Sequence, residues 1–198
     1  MDETPVPGTR LRTVIVFAML FALLAAVVAF AYFSTFKRPV TTVVLVRHAE
    51  KNIEPNNPDP DLSPAGQARA QELQRVLDAT GLNAIYATNF KRTQQTASPV
   101  ASKVGITPTI IDAKKTPDLV NGILNDHRGQ TILVVGHSNT VPEIINALGG
   151  GSSPDIPDNE YDNLFIVTIY KFGKAKVVKL KYGASSSGAP SGTPMMMR

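Results

Sequence analysis

No cysteine occurs among the 198 residues of this chain, which excludes a disulfide framework and a thiolate-bound metal and leaves the redox compartment open. Histidine is scarce as well. His48, His127 and His137 are the three present, and they show no His-x-x-x-His or comparable ligand spacing, so no metal site is expected. A hydrolytic metal site built from His48, His137 and a nearby carboxylate is the alternative that a chelator would test. The excess of positive charge is small, +4, and the basic residues are scattered among acidic ones, which argues against a nucleic-acid partner. Internal repeats are absent. What remains is an ordinary globular composition, 43% apolar and 18% charged, enough for one domain with appendages.

The first appendage is a long apolar run. Residues 14–33, VIVFAMLFALLAAVVAFAYF, carry no charge and have the length of about 20 residues that a helix needs to cross a bilayer. Arg10 and Arg12 precede the run and Lys37 and Arg38 follow it, so flanking charge alone does not fix the orientation. A short Arg-bearing tail (1–13) held inside is the commoner arrangement. It gives a single-pass membrane protein whose folded domain lies in the periplasm or otherwise outside the cytoplasm. A cleaved signal peptide is the alternative, because Ala29-Phe30-Ala31 has a small-x-small pattern. At the other end, residues 184–198 are rich in Ser, Gly and Pro and are expected to be disordered. The folded domain should therefore span residues 39–183.

Within it, strand and helix patterns alternate. Thr42–Val46 and Thr131–Val135 are short continuous apolar runs of the kind buried on both faces of a parallel sheet. Ser63-Pro64 supplies an N-cap and first-turn proline for a helix to about Thr80, ended by Gly81. Ala84–Ala87 reads as a strand. The helix after it carries Ala97, Val100, Ala101 and Val104 on one face and stops at Gly105, with a kink expected at Pro99. An extended piece near Thr107–Ile111 and a helix from Pro117 to Asn125 follow. Thr140 and Glu143 have capping-box spacing before an apolar stripe of Val141, Ile144, Ile145 and Leu148. Leu164–Tyr170 and Ala175–Lys181 should close the chain as a hairpin around Gly173. Such alternation predicts an α/β fold, a three-layer α/β/α domain on a mostly parallel mixed sheet, preceded by one transmembrane helix.

Both buried strands end in a histidine, His48 in LVRHAEK and His137 in VVGHSNT. Ligands of open α/β sheets bind outside the carboxyl ends of the strands, so the two imidazoles should share one pocket. Arg47 and Arg92 would make it a phosphate site, since guanidinium forks match phosphoryl oxygens. An imidazole beside a bound phosphoryl group can attack phosphorus, and the second can steady the charge that develops.

On these residues the chain resembles the histidine phosphatase superfamily, the phosphoglycerate-mutase-like proteins. LVRHAEK stands for the family's Arg-His-Gly signature, IYATNFKRTQQTA for its second-arginine segment, GHSNTVPEIINALGG for its second histidine block and LSPAGQARAQEL for the helix after the first loop. The resemblance implies that His48 is the nucleophile, that Arg47 and Arg92 bind the phosphoryl group, that His137 completes the pocket and that no cofactor is needed. Asn52 becomes a candidate phosphate contact. The general acid is the departure. The nearest candidate is Asp118, with Glu50, Asp61, Glu160 and Asp162 as further carboxylates, while Ser138 stands where another branch of the family has an aspartate. The compact domain is similar to small bacterial phosphohistidine phosphatases, which act without that acid. The partners implied are a phosphorylated small molecule, an envelope component or a phosphoprotein, with the membrane engaged through the N-terminal helix. A catalytically silent phosphate-binding or protein-interaction domain is the alternative.

Overall fold

The computed structural model describes residues 7–36, 40–170 and 175–186. It divides into two units, residues 1–38 and 39–198. In the first, one helix, α1 (Pro7–Phe36), extends past the expected 14–33 in both directions. Pro7 has the fixed φ of a first helical residue, and Arg10, Leu11 and Arg12 are strong helix formers, so nothing in the expected tail opposes the helix. Its stretch Leu11–Phe33 contains an 18-residue window of mean hydropathy 3.0 and is long and apolar enough to cross a membrane. Residues 1–6 lie outside the described part.

The second unit is built on strands β1 (Thr41–Arg47), β2 (Ala84–Thr88), β3 (Thr109–Ile111), β4 (Thr131–Gly136), β5 (Asn163–Ile169) and β6 (Ala175–Lys181). They form one sheet in the order β3-β2-β4-β1-β5-β6. The pairs β3–β2, β2–β4 and β4–β1 are parallel, and β1–β5 and β5–β6 are antiparallel. The turn joining β5 to β6, residues 171–174, lies outside the described residues. Helices α2 (Pro64–Leu77) and α3 (Lys91–Val104) cover one face of the sheet. The other is covered by α4 (Thr116–Asp126) and α5 (Thr140–Ile145), the latter running into a π-type turn, Asn146–Gly150.

The period-two alternation of side chains sorts β1 and β4 between the two cores. Val43, Leu45, Ile132 and Val134 meet Leu119, Ile123, Val141 and Ile144, whereas Val44, Val46, Leu133 and Val135 meet Leu73, Leu77, Ala97 and Val100. Burial on both faces is why these strands read as unbroken apolar runs.

Several local expectations need correction. Ser63 does cap α2, its hydroxyl accepting from the Gly66 N–H, but the helix stops at Leu77 rather than Thr80. The Thr140–Glu143 capping box does not form. Asn139 is the N-cap of α5, and the Thr140 hydroxyl turns back to accept from the His137 N–H. The folded unit also runs past the expected boundary at 183. Ser186 is buried, and its hydroxyl accepts from the N–H groups of Tyr161 and Asp162. Residues 187–198, the rest of the expected tail, lie outside the described part.

Candidate active site

Register brings the two histidines together. Arg47 pairs with Gly136 across the parallel β1–β4 ladder, so the next residue on each strand, His48 and His137, emerges at the same edge. The His48 N–H donates to the Gly136 carbonyl at 2.9 Å, and the imidazoles lie edge to face with centroids 5.4 Å apart. Both side chains are buried. With Phe90, Arg92, Ala113, Lys114 and the Ser138–Thr140 turn they line a cleft of about 330 Å³.

The nucleophile candidate is fixed in one tautomer. His48 Nδ1 lies 2.8 Å from the Ala49 carbonyl, which can only accept, so Nδ1 carries the proton and Nε2 keeps its lone pair. The Ala49 N–H donates to Thr96 Oγ1, and that hydroxyl donates to the Arg92 carbonyl, so α3 holds the turn of the first histidine. Burial above all, then the charges of Arg47, His137 and Arg92, pushes His48 down to about 3. Burial, then Arg92 and Arg47, pushes His137 to about 4. Both rings are therefore neutral near pH 7, the state a nucleophilic imidazole needs.

The arginines differ. Arg92, on the first turn of α3, packs under the Phe90 ring at 4.2 Å and stands 3.6 Å from Asp59. Its Nε and Nη1 hydrogens make no hydrogen bond although both atoms are buried, the 3.6 Å ion pair of Nη1 with Asp59 being too long for one. Arg47 does not line the cleft. Its Nη1 donates to the carbonyls of Pro157, Asp158 and Glu160, and its guanidinium stacks on Tyr161 at 4.3 Å. Its Nε is left buried without a partner. Unpaired buried guanidinium hydrogens are costly, and a tetrahedral oxyanion would satisfy them.

The remaining candidates lie elsewhere. Asp118 is exposed on α4 and faces Lys115 at 4.0 Å. The β3–α4 loop instead brings Ala113 and Lys114 to the cleft. The Asn52 N–H is tied to the Asp61 carbonyl in the loop after the nucleophile, and its side chain is absent from the cleft lining. Glu50 forms a forked pair with Arg69, Asp61 accepts from Gln95, Glu160 accepts from Asn163, and Asp162 accepts from Lys181. Among the described residues no carboxylate lines the cleft. Among the described residues no group of three or more His, Asp and Glu side chains forms a metal cage. His127 is half buried between the Tyr86 hydroxyl and Gln130.

Sequence reasoning passed over Thr88, Thr93 and Thr96, the hydroxyls that position both imidazoles. Their signal was the ATNFKRTQQTA segment itself, where three threonines bracket an arginine at the head of a helix.

Two imidazoles and the unsatisfied Arg92 hydrogens thus share one cleft of an α/β domain. The sequence model of the histidine phosphatase superfamily (branch 1) matches residues 43–119, a stretch that includes His48 and Arg92. Many solved structures share the fold. The protein histidine phosphatase SixA complexed with tungstate is 16% identical, with 71% of this chain and 96% of that one covered at a TM-score of 0.59. A mycobacterial glucosyl-3-phosphoglycerate phosphatase is 11% identical, with 74% and 100% covered at 0.56. Mycobacterial hydrolase 2 is 12% identical, with 77% and 94% covered at 0.55. No curated protein matches. Over residues 43–119 the chain is similar to the histidine phosphatase superfamily, and its domain shares the fold of these phosphatases.

Proposed function

We propose that this chain is a membrane-anchored phosphatase that hydrolyses phosphate monoesters or phosphoprotein groups without a metal or organic cofactor. The observation that carries the reading is the cleft itself: a neutral His48 with its Nε2 lone pair free, beside buried guanidinium hydrogens that lack a partner. In the first displacement the Nε2 pair forms the N–P bond as the P–O bond to the leaving group breaks. In the second, water attacks phosphorus, the N–P pair returns to Nε2 and phosphate departs. Arg92 and His137 hold the oxygens. Helix α1 fixes the chain in a bilayer with the domain on the extracytoplasmic side, where an envelope component or a phosphoprotein is within reach.

A cleft without a carboxylate favours leaving groups that need little proton donation, such as aryl esters and the nitrogen of a phosphohistidine. SixA, a protein histidine phosphatase of the same fold, supports that direction. The full chain in detergent should therefore turn over an aryl phosphate in the presence of chelator. A folded protein that binds phosphate but releases none from any aryl ester would favour the silent binding domain.

Lys114 refines the substrate. It is exposed, and its backbone is held by a bond from its N–H to Asp112 Oδ1. Among the described residues its ammonium has no ion-pair partner. It should attract substrates with a second negative charge beside the scissile phosphoryl group. Lys114→Glu should lower kcat/KM for a carboxylated aryl phosphate about tenfold relative to phenyl phosphate, a change in differential charge complementarity. An unchanged ratio would remove Lys114 from substrate selection.

A further inference from the structure

The hydroxyls around His137 leave one proton arrangement. Thr93 Oγ1 lies 2.7 Å from the Phe90 carbonyl and 3.1 Å from the Thr88 carbonyl, and carbonyls only accept, so the single Thr93 hydroxyl proton is committed there. Thr88 Oγ1 stands 2.8 Å from Thr93 Oγ1, which has no proton left to give. The Thr88 proton must therefore point at Thr93. That leaves Thr88 Oγ1 as an acceptor towards His137 Nε2 at 3.0 Å, so Nε2 carries the imidazole proton. Nδ1 has no protein partner among the described residues and is open to the cleft that His137 lines.

We infer that Thr88 and Thr93 are positioning residues that hold His137 as its Nε2–H tautomer, so that a phosphoryl dianion can enter only with a proton shared between Nδ1 and a phosphoryl oxygen. A bare Nδ1 lone pair would face an oxygen lone pair, and a proton between them turns repulsion into a charge-assisted hydrogen bond. The groups that face His137 reinforce this. Arg47 and His48 at the end of β1, Arg92 at the head of α3 and Lys114 on the β3–α4 loop supply cationic or neutral groups, and the Phe90 ring covers one side at 5.2 Å. The same arginines depress the affinity of free His137 for a proton, so near neutral pH the proton arrives with the phosphate. That proton lies at the phosphoryl group, in a cleft where no carboxylate supplies one.

This inference rests on reading the cleft as a phosphoryl site, and phosphate binding tests that reading separately from the proton count. The tautomer is read by two-bond ¹H–¹⁵N correlation of the imidazoles in the full chain in detergent, with His127→Gln used for assignment. Phosphate binding is read by calorimetric titration with inorganic phosphate, and proton uptake by the same titration with sulfate, a tetrahedral dianion that carries no proton at pH 7.5, in buffers of different ionisation enthalpy. Wild type should show Nε2–H at His137 and take up about one proton per sulfate bound. Thr88→Val and Thr93→Val should each shift His137 towards Nδ1–H and cut the uptake, Thr93→Val because it frees the Thr88 proton to turn towards Nε2. Thr88→Ser should restore both. An Nδ1–H wild type overturns the inference whether or not the variants fold, and so does sulfate binding without proton uptake. Failure of wild type to bind phosphate would instead remove the phosphoryl-site reading.

Discussion

Replacing His48 with alanine should reduce turnover of an aryl phosphate at least about a thousandfold, because the variant loses the Nε2 lone pair that attacks phosphorus, and His137, whose Nδ1 shares a proton with a phosphoryl oxygen, does not replace it. The acid-labile phosphoenzyme that wild type forms on rapid quenching with labelled substrate should vanish with it. Binding of inorganic phosphate should survive, since Arg92 and His137 are untouched. A variant that kept its phosphoenzyme would move the nucleophile elsewhere.

The same variant has a second signature in stability. His48 sits at about 3 in the folded protein against an ordinary 6.5, so between those values the unfolded chain holds a proton that the folded chain refuses. Stability then rises with pH across this window and is lost as pH falls from about 6.5 towards 3. Thermal melts of His48→Ala should lose less stability than wild type over that range. His137, at about 4, continues to contribute its own loss. The two readouts separate a mechanistic role from a structural one, because a silent binding domain would show the acid signature and no phosphoenzyme.

Why the sheet was readable and part of the site was not comes down to the range of the interactions. Val43–Val46 and Ile132–Val135 are buried on both faces, so their apolar runs mark central parallel strands without knowledge of any partner. The histidines that end those runs fall together because the ladder pairs Arg47 with Gly136, a consequence of parallel register. The state of Arg47 depends instead on carbonyls more than a hundred positions away, at Pro157, Asp158 and Glu160, and no local pattern announces a loop that folds back to claim Nη1. Asp118 failed as a cleft residue for a related reason. The loop between β3 and α4 is so short that Ala113 and Lys114 reach the cleft, while Asp118 sits in the first turn of α4 facing solvent. Thr140 shows local and tertiary demands in conflict: its spacing to Glu143 suits a capping box, but its hydroxyl serves the His137 turn.

Gly66→Ala should be the most damaging small substitution in the domain. Gly66 lies in the first turn of α2, and a Cβ there would overlap the carbonyl of Glu50, which is backbone and cannot rotate away. That carbonyl already accepts from the N–H and the hydroxyl of Ser63, the N-cap of α2, so the helix start and the loop after the nucleophile are pinned at one point. The side chain of Glu50 adds the forked pair to Arg69, whose Nη1 reaches the Tyr182 carbonyl after β6. Forcing α2 away from Glu50 strains all of these contacts. The expected cost is about 3–4 kcal/mol, in the range of severe core disruptions, and in a domain of this size it should lower the melting temperature by about 10 °C. Activity should fall further than the fraction unfolded, because Glu50 is two residues from His48 and the Ala49 carbonyl that orients the imidazole would shift with it. Measuring kcat on protein shown to be folded at low temperature separates the two effects. A folded Gly66→Ala variant with wild-type kcat would show that the α2 junction supports the fold without holding the nucleophile.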